Sequence, residues 1–234
     1  MLATMPFLRK GSTVGRRPFD WKRFRRDGRV VMGANRKDML FAYAEALRVL
    51  VVSLELPTDE YVRAWTDGSL AEGIRSMMAC LDLKDGVQVA VMCALEECNV
   101  RPPVLGDLRR DHTRLFGHPK APLVPFYQSQ FLAKQRGDEE RPLLVVNRTA
   151  LSLDETYRGA GLAHRPGSTV SGDRMDIELT FLAVLLDRGD VDRARVFVAD
   201  YLSAWAPNFF RQVEQNADTP EYRFVGVLGE AIFA

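Results

Sequence analysis

The chain has 234 residues, 47% hydrophobic and 27% charged, with a formal net charge of +1, which supplies apolar material for one large core or two small ones. It contains no run of about 18 uncharged apolar residues, and its strongest apolar run is FLAVLL, so a chain threaded through a bilayer as helices is excluded. Cys80, Cys93 and Cys98 are odd in number, lack CxxC spacing and sit in apolar helical patterns; this predicts a reducing, cytoplasmic compartment in which cysteine is a small hydrophobe.

The small net charge conceals a segregation. Residues 1–40 hold 11 Lys and Arg against 3 Asp and Glu, a local +8, and the remainder holds 21 against 28, a local −7. A basic arm therefore precedes an acidic body, and residues 1–34 are expected to be a solvated, flexible extension. Within the arm, GRRPFDWK places Arg16, Arg17 and Phe19 as a twin-arginine export signal would. The apolar segment such a signal requires is missing, because WKRFRRDGR follows, so no export is expected.

From Asn35 the texture turns helical. NRKDMLFAYAEALRVLVVSLEL has Asn35 as candidate cap and Leu40, Tyr43, Ala44, Leu47, Leu50 and Val51 at helical spacing, ending before Pro57. PTDEYVRAW restarts with Thr58 or Asp59 as cap, and Ser69–Leu83 reads as another helix. Asp85–Val100 is rich in valine, but its length and its Ala, Leu, Met and Glu content favour a helix, stopped by Pro102 and Pro103. A further helix leads to Gly117, where Pro119, Pro122 and Pro125 mark a break. The predicted division is thus a sub-domain over 35–117, a hinge over 118–125 and a second sub-domain over 126–234. Helices follow over Phe126–Gln135 and Asn147–Ala163, the latter closed by Gly159 and Gly161, then Asp190–Trp205 ended by Pro207, NFFRQVEQNA and PEYRFVGVLGEAIFA. With no internal repeat and no convincing strand pair, the class is all-α, an antiparallel set of helices.

Ser171–Leu186 is the most apolar helix, and its polar positions Asp176, Thr180 and Asp187 form one narrow stripe. Asp173 can cap its first turn and Asp176 can complement its dipole, leaving Arg174 at its mouth. Glu178 projects from the apolar side. It must find a cation, find a hydrogen-bond donor or take up a proton, and Arg114 and Arg158 are candidate partners. A tie between helices and a place in a binding groove are both open for it.

Catalytic signals are weak. His112, His118 and His164 are scattered, the cysteines lack ligand spacing, and neither a phosphate-binding GxxxxGK[ST] loop nor a GxSxG nucleophile turn occurs, so no metal, cofactor or enzymatic centre is expected.

Several motifs, in order, resemble the TorD-type redox-enzyme maturation chaperones: RLFGHP (Arg114–Pro119), PFYQS (Pro125–Ser129), TYRGAGL (Thr156–Leu162), then Ser171, Asp173 and Arg174 followed by Glu178, Leu179, Phe181 and Leu182. Phe197, Trp205, Pro207, Phe209 and Tyr222 fall where the family has similar residues, while Arg174 and Tyr201 stand where it has histidine. The resemblance covers roughly Asn35 to Ala234. It implies a helical fold of two packed sub-domains joined by a hinge, a non-catalytic cytoplasmic chaperone and a client that is a molybdopterin-dependent oxidoreductase. Its implied role is to hold the client's twin-arginine leader until cofactor is inserted, with homodimers arising by sub-domain swapping. Some members bind guanine nucleotide, for which this sequence offers no site. A leader is basic, then apolar and helix-capable, so its acceptor needs acid beside an apolar groove. Candidate binding residues are Asp173, Arg174, Asp176, Glu178, Leu179, Phe181, Arg114, Phe116, Tyr127, Gln128 and Ser129. The alternative reading is a helical nucleic-acid-binding protein that uses the arm, where Arg16, Arg17, Lys22, Arg23, Arg25 and Arg26 interleave with Phe19, Trp21 and Phe24.

Overall fold

The computed structural model describes residues 7–9, 36–118, 122–137, 148–164 and 170–233. Asn35, most of the basic arm and residues 119–121 of the predicted hinge lie outside the described residues.

Among the described residues the chain forms eleven α-helices. The first, α1 (Arg36–Leu54), stops before Pro57, and Thr58 caps α2 (Asp59–Thr66) by accepting the Tyr61 N–H at 3.3 Å. After a left-handed Gly68, α3 runs Ser69–Met78; the valine-rich stretch is indeed helical, as α4 (Asp85–Cys98). Helix α5 (Leu105–His112) passes directly into a π-helical turn, Thr113–Gly117. The second half holds α6 (Gln128–Arg136), α7 (Arg148–Gly159), α8 (Met175–Asp187), α9 (Val191–Phe197), α10 (Ala206–Asn216) and α11 (Pro220–Phe233). A second π-helical turn, Val198–Leu202, continues α9.

Two expectations need correcting. Pro207 does not end the preceding helix; it occupies the first turn of α10, where a missing N–H costs nothing because that donor has no intrahelical partner. A strand pair also exists: β1 (Phe7–Arg9) lies antiparallel to β2 (Leu162–His164). Gly161, at φ 74°, turns the chain out of α7 into β2. Three-residue strands are too short to leave a period-two pattern in sequence.

Helices from both predicted halves share one core. Helix α1 packs along α8, while α11 packs against α10, α4 and α1. The largest fully buried side chains, among them Trp205, Tyr157, Tyr222, Phe131, Phe181 and Phe209, sit in this shared interior, each worth about 1.5–3 kcal/mol by removal from water. Close approach of α10 and α11 requires Gly226 and Gly229: a Cβ on Gly226 would lie 2.5 Å from the Glu214 backbone nitrogen, and one on Gly229 2.1 Å from the Phe210 ring. Between α5 and the α10–α11 connection, buried Asp111 accepts from the Asp218 and Thr219 backbone amides and the Thr219 hydroxyl, at 2.8–3.0 Å.

Candidate functional site

The two motif loops, 125–129 and 171–174, meet edge to edge. Tyr127 and Arg174 form an isolated antiparallel bridge, with Gln128 N donating to Asp173 O at 2.8 Å and Met175 N to Phe126 O at 3.1 Å. The Asp173 side chain, 1% exposed, then fixes the pair. Ser129 donates its backbone N–H (3.3 Å) and its hydroxyl (2.6 Å) to Asp173 Oδ2, and the Ser171 hydroxyl donates to Oδ1. Asp173 therefore caps α6 from a distant loop rather than its own helix α8, whose N-cap position, Arg174, makes no side-chain cap bond. Sequence spacing alone could not reveal a cap supplied across 44 residues. Buried Gln128 reaches the second π-helical turn, donating Nε2–H to the Tyr201 carbonyl at 3.0 Å. The Tyr201 hydroxyl meets Ser152 and Thr156 of α7 at 2.8 and 3.0 Å.

Arg174 is neutralised as its position demands. Its Nε and Nη2 grip the two oxygens of buried Asp176 at 2.6 and 2.5 Å, a bidentate fork, and its guanidinium stands 5.6 Å above the Phe126 ring. Phe126 in turn contacts Phe116 at 5.2 Å and Phe209 at 6.1 Å, and Phe116, Phe126 and Tyr127 are all only half-buried. They form a partly open aromatic shelf beside the paired loops. Arg114 faces elsewhere. It pairs with Asp111 and Asp218 at 2.8 Å and donates to the Asn216 carbonyl, clasping the first π-helical turn to the α10–α11 connection.

Glu178, Leu179 and Phe181 are 0% exposed. Phe181 packs at 4.7 Å from both Tyr157 and Phe197, so these residues floor the loops from within the core. The partner expected for Glu178 is corrected: neither Arg114 nor Arg158 reaches it. Trp205 Nε1–H donates to Glu178 Oε2 at 3.3 Å, and Oε1 has no hydrogen bond among the described residues. Burial pushes this carboxyl well above the usual carboxylate range, the Trp205 bond opposing the rise and the Asp173 charge adding to it.

The structure adds one residue that the sequence reading passed over. Glu55, just beyond the end of α1, is half-buried within electrostatic reach of Asp176 and Arg174. Burial first and the Asp176 charge second raise its carboxyl to about 7, and Arg174 pulls it down. The signal was present: Glu55 is the only charged residue between Arg48 and Asp59, and an acid at a helix C-terminus opposes the dipole.

Among the described residues no three His, Cys, Asp or Glu side chains group so as to hold a metal ion, and no helix is long and apolar enough to cross a membrane. In comparisons with known proteins, a family model described as Nitrate reductase delta subunit matches residues 80–211, a stretch that holds both loops and every candidate residue named from sequence but not Glu55. No curated protein matches the chain.

Proposed function

The chain belongs to the nitrate reductase delta subunit family, non-catalytic TorD-type chaperones that assist assembly of a molybdoenzyme, and on that premise we propose that it captures the twin-arginine leader of a molybdopterin-dependent oxidoreductase, a nitrate reductase by family, on the cytoplasmic side before export. The observation that carries this reading is the pairing of loops 125–129 and 171–174 beside a half-buried aromatic shelf, with Glu55 within electrostatic reach of Asp176 and Arg174. A leader offers arginines followed by an apolar helix, and such a shelf with a carboxylate at its edge complements that order. The members that do not form the shelf act by position: Asp173, Gln128 and Ser129 hold the loops in register, Glu178, Leu179 and Phe181 support them, and Asp176 keeps the Arg174 charge from repelling the ligand.

Isothermal titration of the full chain with the leader peptide of the client's molybdenum-binding subunit tests this. Tyr127→Ala, which removes part of the shelf without opening the deep core, is expected to weaken binding about tenfold, equivalent to about 1.4 kcal/mol. Absence of any binding by the intact chain would overturn the reading.

A further inference from the structure

Surface pairs such as Arg75 with Glu96 and Arg223 with Glu97 engage a single oxygen of an exposed carboxylate, at 2.7 and 3.4 Å, where water competes for both partners. Arg174 and Asp176 are built differently. Both oxygens of a buried carboxylate are taken, at 2.6 and 2.5 Å, and the same guanidinium lies over the Phe126 ring. A two-oxygen acceptor beside an aromatic face recognises a guanidinium group, whichever chain supplies it. Helix α8 itself has little use for this cation. Arg174 stands at its N-cap without a cap bond, where the helix dipole disfavours positive charge and favours Asp176 as an anion. The Arg174 backbone is fixed: its carbonyl accepts from Ile177 N and Glu178 N at 3.0 and 3.1 Å, and the residue bridges to Tyr127. Its side chain is 28% exposed, so it can turn into water while the backbone stays.

Resting on the leader-binding reading, we propose that Asp176 and Phe126 form the seat for a leader arginine, and that Arg174 fills this seat in the free chain and gives way when the leader arrives. One guanidinium replaces another on the same carboxylate, so the buried charge is paired before and after the exchange. The displaced Arg174 side chain is hydrated, and salt screens its charge from the ligand. The internal occupant lowers affinity by the fraction of time it holds the seat: a seat free about one time in ten makes the apparent affinity about tenfold weaker than that of a vacant one. The fork also selects. Lysine presents a point charge without a planar pair of N–H groups, so it cannot reproduce the two-oxygen contact.

The test is titration calorimetry of the full chain and of Arg174→Ala, each with two synthetic leaders that differ only in carrying arginines or lysines before the apolar helical segment. Vacating the seat is expected to tighten the arginine leader about tenfold and the lysine leader less than about threefold, whereas loss of a merely repulsive Arg174 charge would tighten both alike. Methylguanidinium supplies the seat's ligand without a leader: it should raise the Tm of Arg174→Ala and not that of the unmodified chain, and methylammonium at the same concentration should raise neither. The unmodified chain decides even where Arg174→Ala folds poorly, because the Arg174 Nε–H, followed by NMR, should exchange with solvent faster once the arginine leader is bound. An arginine leader that binds Arg174→Ala no more tightly than the unmodified chain, equal tightening of both leaders, or an Nε–H that stays protected in the complex overturns the seat and leaves leader binding standing. No leader binding by either chain overturns both.

Discussion

Among the described residues, one indole N–H and no cation meets Glu178 in the core, so its contribution to stability is set by protonation. Its folded pKa is raised well above its unfolded value. The folded state therefore holds the proton where the unfolded chain has lost it; stability is full below the unfolded pKa and falls with rising pH, by about 1.4 kcal/mol per unit, until the folded pKa is passed. Glu178→Gln keeps shape and hydrogen-bonding ability without the titration, so urea denaturation should show it more stable than the unmodified chain at pH 8 and near parity at pH 4. An equal stability difference at both pH values would mean that folding does not raise the Glu178 pKa. Because no cation would be stranded, Glu178→Ala should cost only roughly 1–3 kcal/mol, from a cavity and an orphaned Trp205 donor. The apolar run around Glu178 made its burial legible in sequence, but its partner was not, since Trp205 reaches it through tertiary packing across 27 positions. The same limit hid the use of Asp173, whose hydrogen-bond partners depend on how two loops fold together.

Helices were the most legible elements, because the 3.6-residue apolar period is strong in α2, α3 and α10, while α1, α4 and α8 are long apolar stretches bounded by turn signals. The π-helical turns, the β1–β2 ribbon and the place of Pro207 were not, since each depends on one to three residues and on neighbours distant in sequence. Helix α11 illustrates how packing reverses a local preference. Within a helix Ala is favoured over Gly by about 0.8–1.0 kcal/mol, so Gly226→Ala would stabilise α11 alone. In the folded chain the added methyl meets Glu214 backbone at 2.5 Å, which no side-chain rotation relieves. Overpacking of this kind costs about 1–3 kcal/mol after relaxation, on the order of 2–10 °C in Tm for a chain of this size. Calorimetry should find Gly226→Ala less stable; a raised Tm would mean that α11 does not lie this close to α10.

At the scale of the whole molecule, the charge segregation separates two accounts of where binding resides. The helical body carries the paired loops, the aromatic shelf and Glu55, whereas nucleic-acid binding would reside in the arm. Removing residues 1–34 takes away nine Lys and Arg with two Asp, leaving a net charge of −6. The shared core of α1, α4, α8 and α11 starts at Arg36, so the truncation removes β1, the partner of β2, and keeps every described helix in the chain. A more negative body attracts a cationic leader more strongly, an effect that added salt weakens within a Debye length of about 8 Å at physiological ionic strength. The truncated chain should thus bind the leader peptide at least as tightly as the full chain at low salt, with the advantage fading as salt rises, and should lose any affinity for a single-stranded oligonucleotide. Titration calorimetry with the leader and fluorescence anisotropy with the oligonucleotide measure the two. A fall in leader affinity of more than about tenfold on truncation, equivalent to about 1.4 kcal/mol, with the helical circular dichroism unchanged, would move the binding determinant from the body to the arm.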